Sequence, residues 1–253
     1  MYAQIDEALG TDSSKTPRFQ RINRSADYAR KEIAAGFPHL HAHSLLGVWG
    51  AFECLVEDLI AAMLEAHPNV LETPGFEKVK VPASLLAVTS ASDQARAIVI
   101  EAKRTLGSDL TVGTTKFEKL LGLVGLAGPV PRIIADKVFL AQGIRNVWAH
   151  RGGIADARFV MHCPQAGVDV GDRVNLTSGD FLSLMHAIHM YALGIVNRYT
   201  ARFLARKVPA TAECPGFEKA WDEVDFQVGA PAWIAAACLT PSSDADEGAL
   251  DLN

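Results

Sequence analysis

A chain of 253 residues, 49% hydrophobic and 21% charged, has the balance of a soluble globular protein and enough apolar residues for one substantial core with appendages. Its net charge of −5 excludes a basic nucleic-acid-binding module, so any nucleic-acid site has to be local. The longest weakly polar stretch, Leu120 to Pro131, is too short for the roughly 20 residues of a membrane span and is broken by Gly128 and Pro129, so no membrane association is expected.

The N-terminal MYAQIDEALGTDSSK has neither the basic start nor the apolar run of a secretory signal, and the expected localisation is cytoplasmic. Cys54, Cys163, Cys214 and Cys238 are scattered without a CxxC and are expected to be free thiols. Four segments follow from the patterning: a flexible lead-in over 1–17, a helical domain over 18–208, an extension over 209–240 that packs on the bundle, and a disordered acidic tail over 241–253.

Helical periodicity dominates the domain. It predicts helices over 19–35 and 40–67, the second with Leu45, Val48, Trp49, Phe52, Leu55, Val56, Leu59 and Met63 on one broad apolar face. A Pro/Gly turn at 73–75 leads to a short strand or loop at Val79–Val81, and Asp93–Leu106 reads as helix again. Thr115 and Glu118 form a candidate capping box opening a helix to Leu126. Pro131 suits a first helical turn, and the helix it opens runs to His150 or Arg151, closed by Gly152-Gly153. Phe159–Cys163 and Arg173–Thr177 are β-prone and predict a hairpin, after which Thr177 or Ser178 caps a long helix to about Arg206. The repeated PGFEK at 74–78 and 215–219 has unlike flanks and is read as coincidence.

The informative stretch is Gly143-Ile144-Arg145-Asn146-Val147-Trp148-Ala149-His150-Arg151-Gly152-Gly153-Ile154-Ala155-Asp156. It lies in the most basic part of the chain, where Arg132, Lys137, Arg145, Arg151 and Arg158 face only Asp136 and Asp156. On a helix, Arg145 and His150 stand about 7.5 Å apart along the axis and about 140° around it, while Asn146 and His150 share a face. A histidine in the last turn is favoured in its protonated form by the helix dipole, and the neighbouring arginines add the positive charge that a phosphate needs. The spacing alone is a weak signal, since chance readily supplies an Arg five residues before a His.

The extended stretch is more specific. Ile144-Arg145-Asn146, then His150, Gly152-Gly153 and Asp156, resembles the R-N-x(3–5)-H signature and glycine-rich exit of bacterial HEPN (higher eukaryotes and prokaryotes nucleotide-binding) proteins. The likeness extends loosely over residues 40–206. It implies a mainly α fold, a bundle of four to five core helices with a short β-hairpin after the motif helix, and a homodimer that joins two motif helices in one cleft. It further implies metal-independent cutting of RNA, with no cofactor. Arg145 and His150 would be catalytic, Asn146 would position, and Glu53 or, one turn on, Glu57 would orient Arg145. Arg151, Arg158 and Lys137 are the expected substrate contacts. An antitoxin or a nucleotidyltransferase is the further partner expected of such a protein.

Other readings stand beside this one. Arg145 could serve only to satisfy carbonyls and His150 only to cap its helix, as in a non-catalytic dimerisation or partner-binding protein. Trp148 reads as a core or dimer-interface anchor more readily than as a base-stacking platform. His39 and His43 share a helix face, yet no carboxylate or cysteine at a matching spacing completes a metal set with His41 nearby. His186 and His189 read as solvated or interface residues. The chain has no GxGxxG, no phosphate-loop GxxxxGK and no GxSxG, which removes support for nucleotide-binding and hydrolase folds.

Overall fold

Thr16 opens the first helix, α1 (Pro17–Ala34): its hydroxyl accepts a hydrogen bond from the Phe19 amide at 3.3 Å, and Pro17 occupies the turn where no amide partner is needed. The computed structural model describes residues 16–83, 90–107 and 112–203. The expected extension and acidic tail, Cys214, Cys238 and the second PGFEK lie outside the described residues. A turn at Gly36 and Phe37, both at positive φ (74° and 62°), joins α1 to α2 (Pro38–Ala66).

Of the apolar face predicted for α2, Leu45, Trp49, Phe52, Val56 and Met63 are buried, while Leu55 at its edge is 40% exposed. Two 3-10 turns follow, Pro68–Glu72 and Pro74–Phe76, and Val79–Val81 is the loop of the two alternatives. The Ser90 hydroxyl accepts from the Asp93 amide and so starts α3 (Ala91–Leu106).

At α4 (Thr114–Leu123) the expected capping box does not form, because the N-cap is Gly113 and no side chain caps it. Glu118 turns instead to Arg198, which donates to both carboxylate oxygens at 2.8 and 3.0 Å, and it also accepts from the Tyr191 hydroxyl and the Gly128 amide. Arg198 is only 2% exposed. A buried, unpaired charge costs several kcal/mol and a missing helix cap about 1 kcal/mol, so the ion pair takes the carboxylate.

The remaining helices are α5 (Arg132–Arg151), α6 (Ala157–His162) and α7 (Ser178–Phe203). α6 corrects the expected hairpin: the β-prone run at 159–163 is largely helical, because the Asp156 carboxylate accepts from the Phe159 amide and nucleates a turn there. Arg173 pairs with Ile154 in an isolated antiparallel bridge, flanked by Ala155 N–H to Asp172 O and Val174 N–H to Gly153 O. No strand occurs among the described residues. Thr177 caps α7 reciprocally with Asp180, its hydroxyl accepting the Asp180 amide while the carboxylate accepts the Thr177 amide.

The chain is mainly helical and divides into two units. Of the described residues, unit 1 takes 16–47 and 143–183, and unit 2 takes 48–83, 90–107, 112–142 and 184–203. The core of unit 2 is aromatic: Trp49, Phe52, Phe117 and Tyr191 lie with ring centroids 4.7 to 6.3 Å apart. Burial, and then the charge of Glu118, hold the Tyr191 hydroxyl far above its ordinary ionisation range. Among the described helices α7, rather than the stretch at 120–131, is long and apolar enough to cross a membrane by length and composition. Its Leu184, Ile188, Tyr191 and Ile195 are buried.

Candidate functional site

Trp148 organises unit 1. Its indole N–H donates to the Val174 carbonyl at 2.9 Å, His39 and His43 meet its ring with centroids 5.2 and 5.9 Å away, and the Arg173 guanidinium lies 5.7 Å from its centre. At 8% exposure it is a core residue of the unit rather than an open stacking platform. The glycine exit of α5 is shaped around it. Gly153 has φ +85°, and a Cβ there would lie 2.8 Å from the indole, so the chain can turn under Trp148 only with glycine. Gly153→Ala is accordingly expected to cost roughly 1–3 kcal/mol, read as a lower unfolding midpoint and a changed tryptophan signal in near-ultraviolet circular dichroism.

The histidines predicted as a weak metal set are bound to protein groups. His39 Nε2 faces the Arg173 guanidinium at 3.2 Å; since a guanidinium only donates, Nε2 accepts and Nδ1 carries the hydrogen that it gives to Glu32 at 2.5 Å. His41 donates from Nδ1 to the Leu176 carbonyl and stacks on Phe181. His43 is exposed at the edge of Trp148. No group of three metal-ligating side chains occurs among the described residues.

On this frame α5 presents the predicted pair. Asn146 and His150 are exposed on successive turns, and Arg145 is half-buried with its guanidinium donating to the Asn146 side-chain oxygen at 3.1 Å. Arg151, in the same last turn, pairs with Asp156 at 3.4 Å. Arg158 is exposed on α6. Arg173 was missed in the sequence because a β-prone run hid it; it donates to the Gly152 carbonyl at 3.1 Å and so adds a cation directly to the C-terminal end of α5. Unit 1 carries nine Lys/Arg against six Asp/Glu over 16–47 and 143–183, in a chain whose net charge is −5. Of the basic run expected locally, Arg145, Arg151 and Arg158 lie in this unit and Arg132 and Lys137 in unit 2, and over 143–183 four Arg stand against four Asp.

α6 packs at Gly143 of α5, where a Cβ would fall 2.7 Å from the Cys163 sulfur and 3.3 Å from Phe159. Burial pushes the Cys163 thiol up from 9.0 to about 11. The folded state thus favours the protonated thiol: its contribution to stability is full below pH 9 and is lost as the pH rises towards 11. In native protein near neutral pH, iodoacetamide is expected to label exposed Cys54 and to spare Cys163 until the chain unfolds, as peptide mapping would show.

Glu53, Glu57, Lys137, His186 and His189 belong to unit 2. Glu53 pairs with Lys116 at 2.9 Å and Glu57 with Lys103, on the rim of a cleft of about 280 Å³ floored by Val56 and Phe117. Arg145, Asn146 and His150 do not line that cleft. Lys137 is half-buried on the first half of α5, and in α7 His186 is half-buried and His189 exposed.

The chain matches no family model, no curated protein and no solved structure. The functional reading therefore rests on the residues and their placement.

Proposed function

We propose that the chain is a metal-independent endoribonuclease of HEPN type, acting as a toxin or defence effector in the cytoplasm, with Arg145, Asn146 and His150 at its centre. The observation that carries this reading is the accessibility of His150: it stands in solvent at the last turn of a helix whose geometry is fixed from beneath by Trp148, Gly153 and Arg173. A rigid support that leaves His150 open is what a catalytic site requires.

In the proposed reaction the ribose 2′-oxygen attacks the adjacent phosphorus. The O2′–P bond forms and the P–O5′ bond breaks, giving a 2′,3′-cyclic phosphate and a 5′-hydroxyl. His150 takes the proton from the 2′-hydroxyl, and the His150 of a second copy in the homodimer returns one to the leaving 5′-oxygen. The Arg145 guanidinium stabilises the charge that accumulates on the phosphoryl oxygens, and Asn146, held against it, fixes its direction. Arg151, Arg158 and Arg173 hold the flanking backbone phosphates. Incubation of the protein with a mixed RNA pool in EDTA tests the proposal: cutting by the wild type that disappears in His150→Ala, with the dimer intact, supports it.

The second reading is a non-catalytic HEPN protein that docks a partner such as a nucleotidyltransferase, and one observation favours it: Ile22 and Ile33 of α1 are exposed. It predicts no cutting of RNA by either protein.

A further inference from the structure

The cleft of unit 2 takes no part in the proposed reaction, and its lining is of two kinds. Its floor is apolar: Val56 of α2 and Phe117 and Leu120 of α4 are 0%, 3% and 6% exposed, and Leu106 at the end of α3 adds to them. Its mouth carries both signs of charge. Glu53 and Glu57 stand one turn apart on α2, about 6 Å along the axis. Each meets a lysine from a different wall, Lys116 of α4 on Glu53 at 2.9 Å and Lys103 of α3 on Glu57. These four side chains are between 23% and 38% exposed, so they stand at the opening and still reach solvent. Lys119 is the other charged residue of the lining.

A space of about 280 Å³ is too large for a packing defect and lies at the small end of ligand cavities. Water against the apolar floor finds few hydrogen-bond partners, so an apolar group that displaces it is favoured. Volume and floor together fit one compact apolar body, branched or aromatic. The mouth selects what that body carries. A lone carboxylate would face Glu53 and Glu57 as well as the lysines, and a lone ammonium would face the lysines as well as the glutamates. Repulsion offsets attraction in both cases. An ammonium and a carboxylate on one carbon match both signs at once and extend the two ion pairs into one alternating network.

We infer that this cleft is a binding site for a free α-amino acid with an apolar side chain. The side chain rests on Val56, Phe117 and Leu120, the ammonium joins Glu53 and Glu57, and the carboxylate joins Lys103 and Lys116. Nothing in this inference depends on the nuclease reading.

The test is calorimetric titration of the full chain with L-phenylalanine, phenylpropionate and phenethylamine, the last two lacking the ammonium and the carboxylate in turn. L-phenylalanine is expected to bind with a Kd of about 1 mM or below, and each analogue at least about tenfold more weakly. Glu57→Gln/Lys103→Met removes both charges of one partly exposed pair and leaves neither alone, so circular dichroism should be unchanged while L-phenylalanine binds at least about tenfold more weakly. Leu106→Trp, which fills the cleft from a half-buried position and leaves the charges in place, should abolish binding. No binding of L-phenylalanine by the wild type at about 10 mM overturns the inference. Phenylpropionate binding as tightly as L-phenylalanine overturns it in favour of a carboxylate site, and phenethylamine doing so overturns it in favour of an amine site. Undiminished binding of L-phenylalanine by either folded variant places the ligand elsewhere and overturns it as well. The analogue series on the wild type decides the matter even if a variant fails to fold.

Discussion

His150→Ala is expected to cut RNA between about 10² and 10⁴ times more slowly than the wild type, the range for loss of a group that moves a proton in the transition state. The side chain is exposed, so its removal leaves no cavity, and the unfolding midpoint should not change. Arg145→Ala should lose about 10²–10³-fold, as expected for removal of a donor aimed at developing charge. Arg145→Lys should restore little, because an ammonium cannot hold two phosphoryl oxygens and the Asn146 oxygen in one plane. Asn146→Ala, which removes only the group that directs Arg145, should fall between these variants and the wild type. Undiminished cutting by a correctly folded His150→Ala protein would remove the site from the account.

The largest stability effect is expected in unit 2. Glu118→Ala removes the Glu118 carboxylate from the buried Arg198 guanidinium and releases the Tyr191 hydroxyl and the Gly128 amide as well. Breaking such a pair typically costs about 3–5 kcal/mol, a fall in Tm of roughly 10 °C for a protein of this size. Arg202 deepens the effect, because its guanidinium, whose pKa is lowered by burial and by Arg198, shares the same carboxylate field. Replacing both partners, as in Glu118→Leu/Arg198→Met, should recover much of the loss, since no uncompensated charge is then buried. Lys116→Ala, which breaks the half-exposed pair with Glu53, should change stability by no more than about 1 kcal/mol. Thermal unfolding of these variants would refute this ranking if Glu118→Ala proved as mild as Lys116→Ala.

The helices were legible where periodicity and termini agreed. The span of α5 was set by Pro131 and Gly152-Gly153, and that of α7 by Thr177, because these residues act locally on backbone groups next to them. The two failures have a common cause. Glu118 reads locally as a cap for its own helix, but a buried arginine 80 residues away competes for it. Phe159–Cys163 reads as a strand from its β-prone residues, but Asp156 caps a helical turn and burial of Phe159 and Cys163 rewards it. Tertiary partners decide both outcomes, and a single sequence does not announce them.

At the candidate site, Arg145, Asn146 and His150 could be placed on one helix end from spacing alone. The histidines at 39, 41 and 43 could not be interpreted, because their meaning lies in Trp148, Arg173 and Leu176, all more than 100 residues distant. Arg173 left no signal at all: only the bridge to Ile154 brings it to the end of α5.

The chemistry of the cut ends tests the central claim most directly. Wild-type protein and RNA are incubated in EDTA, and the termini of the fragments are determined. Fragments ending in a 2′,3′-cyclic phosphate and beginning with a 5′-hydroxyl, formed by wild type and not by His150→Ala, are the predicted result. Fragments bearing a 3′-hydroxyl and a 5′-phosphate, or intact RNA with both proteins, would contradict it.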